Sequence, residues 1–287
     1  MKICYWGNGQ ACFLNCVDKI FLKIISNLFQ GFEVVDSYNN DNLDDNMLQI
    51  TYLGDGKYHI CHGVFNEVWP IEQALGYAVK TILEVLGQES NNIYFLHGGC
   101  VQYNGKNNCF LGRTKSGKST LTYSLCQVPN CRYITDDLIC VDDSLKCIPF
   151  IKPIFLRERK YIDEREDVTV IQYQNEYRYC VLPEFRVNKN ELFNIDNIFI
   201  VERNPIKDFS AEKLSISSGF VNIWKNMHTS DFIFDKRNVA LKLAKSTNIF
   251  KLNYPFEISP PSERCCWVLL KPRKPLKIRQ FIHAKAL

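Results

Sequence analysis

Eight consecutive residues, Gly112-Arg113-Thr114-Lys115-Ser116-Gly117-Lys118-Ser119, match the spacing G-x4-G-K-[ST] at every fixed position. Each fixed residue has a physical part to play around a polyphosphate. Gly112 and Gly117 let the backbone curl so that successive N–H groups face inward. A helix beginning at the second glycine adds the partial positive charge of its N-terminus. Lys118 brings a full charge to the β- and γ-phosphates, and Ser119 offers a hydroxyl to a bridging Mg2+. Arg113, Thr114, Lys115, Ser116 and Thr120 complete the expected phosphate contacts. These residues predict binding of ATP with Mg2+. The competing reading is an ordinary glycine-bearing strand-to-helix turn. The apolar Cys109-Phe110-Leu111 before the loop and the helix-like Ser119–Cys126 after it argue for the phosphate site.

A phosphate site also needs a carboxylate, and chain geometry points to Asp136 and Asp137. A helix from Lys118 to Gln127 carries the chain roughly 14 Å from the loop, and a strand from Arg132 to Asp136 covers roughly 16 Å on the way back. The two aspartates therefore return beside the phosphates. One holds the metal and the other accepts a proton from an attacking hydroxyl. An Asp-Asp turn without function is the alternative, and it suits Asp142-Asp143-Ser144 better. His97 ends the strand that leads, through a hairpin, into the loop. It is a second candidate, set against the common role of a satisfied structural histidine.

The elements around these residues are legible in outline. Ile93–Leu96, Cys100–Tyr103 and Asn108–Leu111 read as strands, the last two joined by the turn dipeptide Asn104-Gly105. Tyr133–Thr135 and Leu138–Val141 read as strands flanking the aspartates. Nearer the start, Leu14, Val17, Ile20, Phe21, Ile24, Ile25 and Leu28 predict an amphipathic helix over 13–29. Residues 36–45 read as a loop, and Met47–Leu53 and Lys57–His62 as a hairpin. Pro70 opens a second helix that Gly87 stops. Later come a strand at Asn197–Val201 and a helix at Lys236–Lys245. The expectation is an α/β protein with a mixed sheet, divided into an N-terminal α+β unit over 1–90 and a catalytic unit over 91–287.

Composition is that of an ordinary globular chain, 46% hydrophobic and 23% charged over 287 residues. There is no signal-peptide pattern and no run of about 18 apolar residues, so a cytoplasmic protein without a membrane partner is expected. Of the 13 cysteines, none falls in a Cys-x-x-Cys pair, and most have apolar neighbours. They read as small core hydrophobes rather than disulfides or metal ligands. The net charge of +4 is concentrated at the end, where seven basic residues and no acid follow Glu263. No nucleic-acid-binding motif accompanies them, so nucleic acid is not an expected partner. Oligomeric state is not legible.

Taken together, Leu96-His97-Gly98, the hairpin, Phe110-Leu111-Gly112 running into Ser116-Gly117-Lys118-Ser119-Thr120, and Thr135-Asp136-Asp137 resemble the catalytic domain of the HPr kinase/phosphorylase family, whose fold is related to PEP carboxykinase. Pro149–Arg157 resembles the Pro-rich strand ending in Leu-Arg of that family's relatives, and a fainter likeness lies near Asn248–Pro255. The resemblance implies a P-loop kinase core. It matches Asp136 to the base towards a substrate serine, Asp137 to the metal-side carboxylate and His97 to a histidine near the phosphate. The family's Leu-Glu-x-Arg-Gly-x-Gly-type segment is missing after Asp137, and Thr120 stands where an acidic residue is usual. HPr itself is therefore not the implied acceptor. The broader group includes kinases that phosphorylate a serine of a ribosomally made precursor peptide, including lasso-peptide precursors.

The expected activity is an ATP- and Mg2+-dependent kinase acting on a Ser or Thr hydroxyl of a peptide or small protein. Lys118 and the loop hold the phosphates, and Arg157, or Arg113, stabilises the transferring group. A nucleotide-binding regulatory or scaffold protein and a small-molecule (serine-type) kinase are the alternatives.

Overall fold

The structure is a computed structural model that describes residues 1–5, 7, 9–35, 47–87, 93–162, 168–173, 176–203, 210–227 and 233–254. The loop expected over 36–45, the basic tail, Cys265-Cys266 and the end of the Asn248–Pro255 likeness lie outside them. The described residues form a mixed α/β structure with three sheets and five α-helices.

The first sheet has six strands: β1 (Lys2–Tyr5), β2 (Gln10–Cys16), β3 (Glu33–Val35), β4 (Leu48–Gly54), β5 (Lys57–His62) and β6 (Phe65–Pro70). Their order is β3-β1-β2-β4-β5-β6, with β2 and β4 parallel. The β4–β5 turn needs left-handed backbone at Asp55 (φ 50°) and Gly56 (φ 68°), residue types that tolerate it. Helix α1 (Lys19–Leu28) is capped by Asp18, whose carboxylate accepts from Phe21 N at 2.8 Å. It buries Phe21, Ile25 and Leu28.

The helix expected over 13–29 is thus corrected at its start, where residues 13–16 belong to β2. Cys12 and Leu14 point inward on alternate positions while Val17 is 82% exposed. Apolar residues at 14, 17 and 21 fit a helical period by coincidence of a strand followed by a helix. Helix α2 (Ile71–Leu86) begins after Pro70 and ends at Gly87, as the sequence indicates.

The nine-stranded sheet contains β7 (Ile93–Tyr103), β8 (Lys106–Leu111), β9 (Cys131–Thr135), β10 (Leu138–Asp142) and β11 (Lys146–Ile148), with α3 (Lys118–Cys126) between β8 and β9. The Asn104-Gly105 turn, at φ 48° and 76°, joins β7 to β8. Strand β7 runs unbroken through His97, although the sequence shows its apolar stretches as two pieces.

Strands β12 (Ile154–Leu156), β13 (Thr169–Tyr173) and β14 (Glu176–Val181) make a small antiparallel sheet. The nine-stranded sheet is completed by β15 (Phe193–Asn194), β16 (Asn197–Arg203), β17 (Ser210–Lys213) and, after helices α4 (Ile216–Lys225) and α5 (Ile233–Ser246), β18 (Asn248–Tyr254). Strand β8 is parallel to β16, and β16 to β18.

Two hydrophobic cores hold these layers. One gathers β7–β10, α3, β16, α5 and β18 around Phe110, Tyr123, Tyr133 and Phe199. The other joins Tyr5, Phe21, Phe29 and α2 to Phe95, Cys140 and Phe150. Helix α2 also lies close on β13, for a Cβ at Gly76 would fall 1.8 Å from the carbonyl oxygen of Gln172. Lys80, Leu83 and Glu84 of its last turns line the same cleft as Lys115 and Lys118 of the phosphate loop.

Candidate active site

Strand β8 delivers the loop and α3 receives it. Gly112 leaves the strand at φ 156°, and a Cβ there would sit 2.7 Å from the carbonyl oxygen of Val201. Lys115 (φ 67°) and Gly117 (φ 88°) reverse the backbone before α3 starts at Lys118. The loop closes on itself through Ser116 N donating to Arg113 O at 3.0 Å. Its first amide, Gly112 N, donates to Oδ1 of Asn226 at 3.2 Å.

Lys118 is 6% exposed and folds back over the loop, its ammonium donating to Gly112 O at 2.8 Å and Arg113 O at 3.0 Å. Burial lowers its pKa, against the pull of Asp136 and Asp137.

The aspartates return as the chain geometry requires. Strand β9 runs antiparallel to β7, and Cys100 pairs with Thr135. Asp137, at φ 70°, turns the chain into β10, where Leu138 pairs with His97. Gly98 N donates to Asp137 O at 3.1 Å, which ties this turn to β7. Thr135 Oγ1 donates to Phe150 O at 2.8 Å and so links the same turn to the chain entering β12.

The two carboxylates meet different surroundings. Asp136 is 1% exposed and hydrogen-bonds the Ser119 side chain, while its Oδ1 has no hydrogen-bond partner among the described residues. Burial raises its pKa, opposed by the Lys152 ammonium. Backbone at Gly99 approaches this carboxylate so closely that a Cβ there would lie 3.0 Å from Oδ1.

The Asp137 side chain is half exposed, with Oδ1 3.1 Å from His97 Nδ1 and Oδ2 3.9 Å from Lys152 Nζ. Burial of the site pushes Asp137 upward, but the Lys152 ammonium and the His97 hydrogen bond outweigh it and hold the carboxyl well below its ordinary range.

Lys152 belongs to no motif that marks it in the sequence. It is wholly buried, with its ammonium 4.2 Å from the centre of the Phe155 ring and no hydrogen-bond partner among the described residues. Tyr133 OH donates to its carbonyl at 2.7 Å and fixes the backbone. The available signal was a single lysine in the otherwise uncharged run Pro149–Leu156. Arg157 stands at the rim, 3.6 Å from Glu176, which also holds Arg178 at 2.7 Å.

These groups open on a cleft of about 810 Å³. Thr114, Lys115, Gly117, Lys118, Ser119 and Thr120 line it on the loop side, with His97, Asp136, Asp137, Lys152 and Arg157 opposite. Gly112, Arg113 and Ser116 instead border a second cavity, of about 1110 Å³, across the loop.

Mg2+ is commonly held by one or two carboxylates together with substrate phosphates. The Ser119 hydroxyl and the spare oxygen of Asp136 are donors of that kind. Among the described residues no group of three or more His, Cys, Asp or Glu can hold a metal alone. The donor set therefore fits an ion shared with phosphate rather than a closed protein site.

No family model matches the chain, and no curated protein matches it. Among solved structures it is similar to the Hpr(Ser) kinase/phosphatase from Coxiella burnetii. The likeness covers 61% of this chain and 85% of that chain, at 11% identity and a TM-score of 0.31. So remote a likeness leaves function to the geometry of the site. Among the described residues no helix is long and apolar enough to cross a membrane.

Proposed function

We propose that this protein is an ATP- and Mg2+-dependent phosphotransferase with a P-loop kinase core at residues 91–287, acting on a serine-type hydroxyl. The observation that carries the proposal is the convergence, in one cleft, of the Lys118 ammonium, the Ser119–Asp136 pair and the His97–Asp137 pair. A cradle for phosphate alone does not call for two carboxylates in such different states.

The surroundings favour a division of labour opposite to the one the family resemblance implies. Asp136 is buried against Ser119, which suits the metal side. Asp137 is half exposed and in contact with His97, which makes it the carboxylate that an acceptor hydroxyl can reach. In the transfer, the acceptor oxygen forms a bond to the γ-phosphorus and the bond to the β–γ bridging oxygen breaks. The acceptor proton passes to Asp137, and the diphosphate leaves with its new charge facing Lys118 and the α3 N-terminus. Mg2+, when bound, neutralises charge on the β- and γ-phosphates. Lys152 keeps Asp137 ionised, and Arg157 stands at the rim where the transferring group is reached.

The test is incubation with γ-labelled ATP, Mg2+ and either free serine or a pool of serine-containing peptides. Phosphoserine should form with one of them and be lost in Asp137→Asn, while nucleotide binding persists. If nucleotide binds and no hydroxyl is labelled, the protein is a nucleotide-binding regulator instead.

A further inference from the structure

Two buried groups that line the cleft, one acidic and one basic, have bonds left unmade. They are Asp136 Oδ1 and the Lys152 ammonium, and neither has a hydrogen-bond partner among the described residues. The backbone of Lys152 is pinned from both sides, its N donating to Phe150 O at 2.9 Å and its O accepting from Tyr133 OH at 2.7 Å. Phe155 covers one side of the ammonium, and Asp137 Oδ2, at 3.9 Å, is too far for a hydrogen bond. An ammonium has three donors and no acceptor. Withdrawing it from water with none of them used is costly, so this lysine is placed for an acceptor that arrives through the cleft.

The neighbouring carboxylate narrows what that acceptor is. In the transfer given above, the attacking hydroxyl is within hydrogen-bond reach of Asp137 and about 3–3.5 Å from the phosphorus. An ammonium 3.9 Å from Asp137 Oδ2 therefore stands beside the terminal phosphoryl group rather than beside the phosphates nearer the nucleoside. That group carries its charge on three oxygens. Lys118 reaches it from the loop, and a metal held on the Asp136 side takes another direction. Lys152, coming from the segment that enters β12, supplies donors from a third.

We infer that Lys152 binds the terminal phosphoryl group of the nucleotide directly, as a second phosphate lysine beside Lys118; this rests on the nucleotide reading of the cleft. The contact answers a difficulty in the transfer itself. A carboxylate base and the γ-phosphate repel one another at the distance that attack requires. An ammonium next to both offsets that repulsion, so Asp137 stays ionised while the phosphoryl group is held close to it. The bonds made and broken are those of the transfer already given, and Lys152 keeps its protons throughout.

The test compares the parent with Lys152→Met, which keeps an unbranched side chain of similar length without the charge. Each is titrated with ADP and with a non-hydrolysable ATP analogue, both with Mg2+, and the ratio of the two affinities is read. Losses that act through the metal or the fold weaken both nucleotides and leave the ratio alone. The expected result is a preference for the triphosphate about tenfold or more lower in the variant, as for a lost charge-assisted hydrogen bond. An unchanged ratio overturns the inference. A parent protein that binds neither nucleotide overturns it together with the nucleotide reading. A lowered ratio in a protein that labels no hydroxyl from γ-labelled ATP supports the lysine contact and overturns the kinase reading alone. A crystal structure of the parent with Mg2+ and the analogue reads the contact without any variant. Lys152 Nζ within about 3.2 Å of a γ-oxygen is expected, and an ammonium bound only to water or to protein would contradict it.

Discussion

The amide of Gly112 donates to Oδ1 of Asn226, a residue 114 positions later in the chain. The same asparagine accepts from His97 N through its carbonyl at 2.6 Å and donates from Nδ2 to Asn222 O at 2.8 Å. One side chain and its backbone thus set the spacing between the start of the phosphate loop and His97.

Asn226→Ala should therefore weaken nucleotide binding by about tenfold, the worth of one partly buried hydrogen bond of about 1–1.5 kcal/mol. Titration of a fluorescent nucleotide into the variant and the parent checks this; unchanged affinity in Asn226→Ala would remove the hydrogen bond from the account.

Asp136→Asn should stabilise the nucleotide-free protein at neutral pH. A carboxyl whose folded pKa is raised costs the folded state stability as pH climbs from its unfolded value through the folded one, and the full cost applies above that. Asparagine does not pay it. The advantage of the variant should thus be largest near pH 7–8 and shrink toward pH 4, where the parent binds the proton. Thermal unfolding across that range measures it, and a variant less stable than the parent at pH 8 would contradict the burial argument. With Mg2+ and ATP present the order should reverse, because the metal-side carboxylate is gone.

The cysteines give an independent check on the two cores. Burial pushes the Cys12 and Cys180 thiols up to about 12, and raises Cys100, Cys109 and Cys140 as well. Because the thiolate is the nucleophile, these five should resist iodoacetamide at pH 8 in the folded protein and react in guanidinium. Peptide mass spectrometry reads each site. Alkylation of Cys140 in the native protein would mean that the core beneath β7 and β10 is open.

The phosphate loop, the Asn104-Gly105 hairpin and the return of Asp136-Asp137 were legible because each depends on residue types at short, fixed spacing. Lys152 and Asn226 were not, since their roles come from chain segments that meet only after folding. Helix α4 was hidden as well. Its sequence, Ile216-Ser217-Ser218-Gly219, holds weak helix formers, and it is fastened by close packing. A Cβ at Gly219 would lie 2.3 Å from Ile249 Cδ1, so the glycine serves contact with β18 rather than helix propensity. Strand β6 escaped notice for a related reason. It is an edge strand with most of Phe65–Pro70 turned outward, and it lacks the alternation that marks a half-buried strand.

The central claim is that the loop at Gly112–Thr120 holds a nucleoside triphosphate through Lys118. Its most direct measurement is calorimetric titration of a non-hydrolysable ATP analogue into the parent protein and Lys118→Ala, with Mg2+ and with the metal chelated. Saturable one-to-one binding to the parent is predicted, weaker without Mg2+ and at least tenfold weaker in Lys118→Ala. A parent protein that takes up no analogue, or a variant that binds it as well as the parent, would contradict the claim.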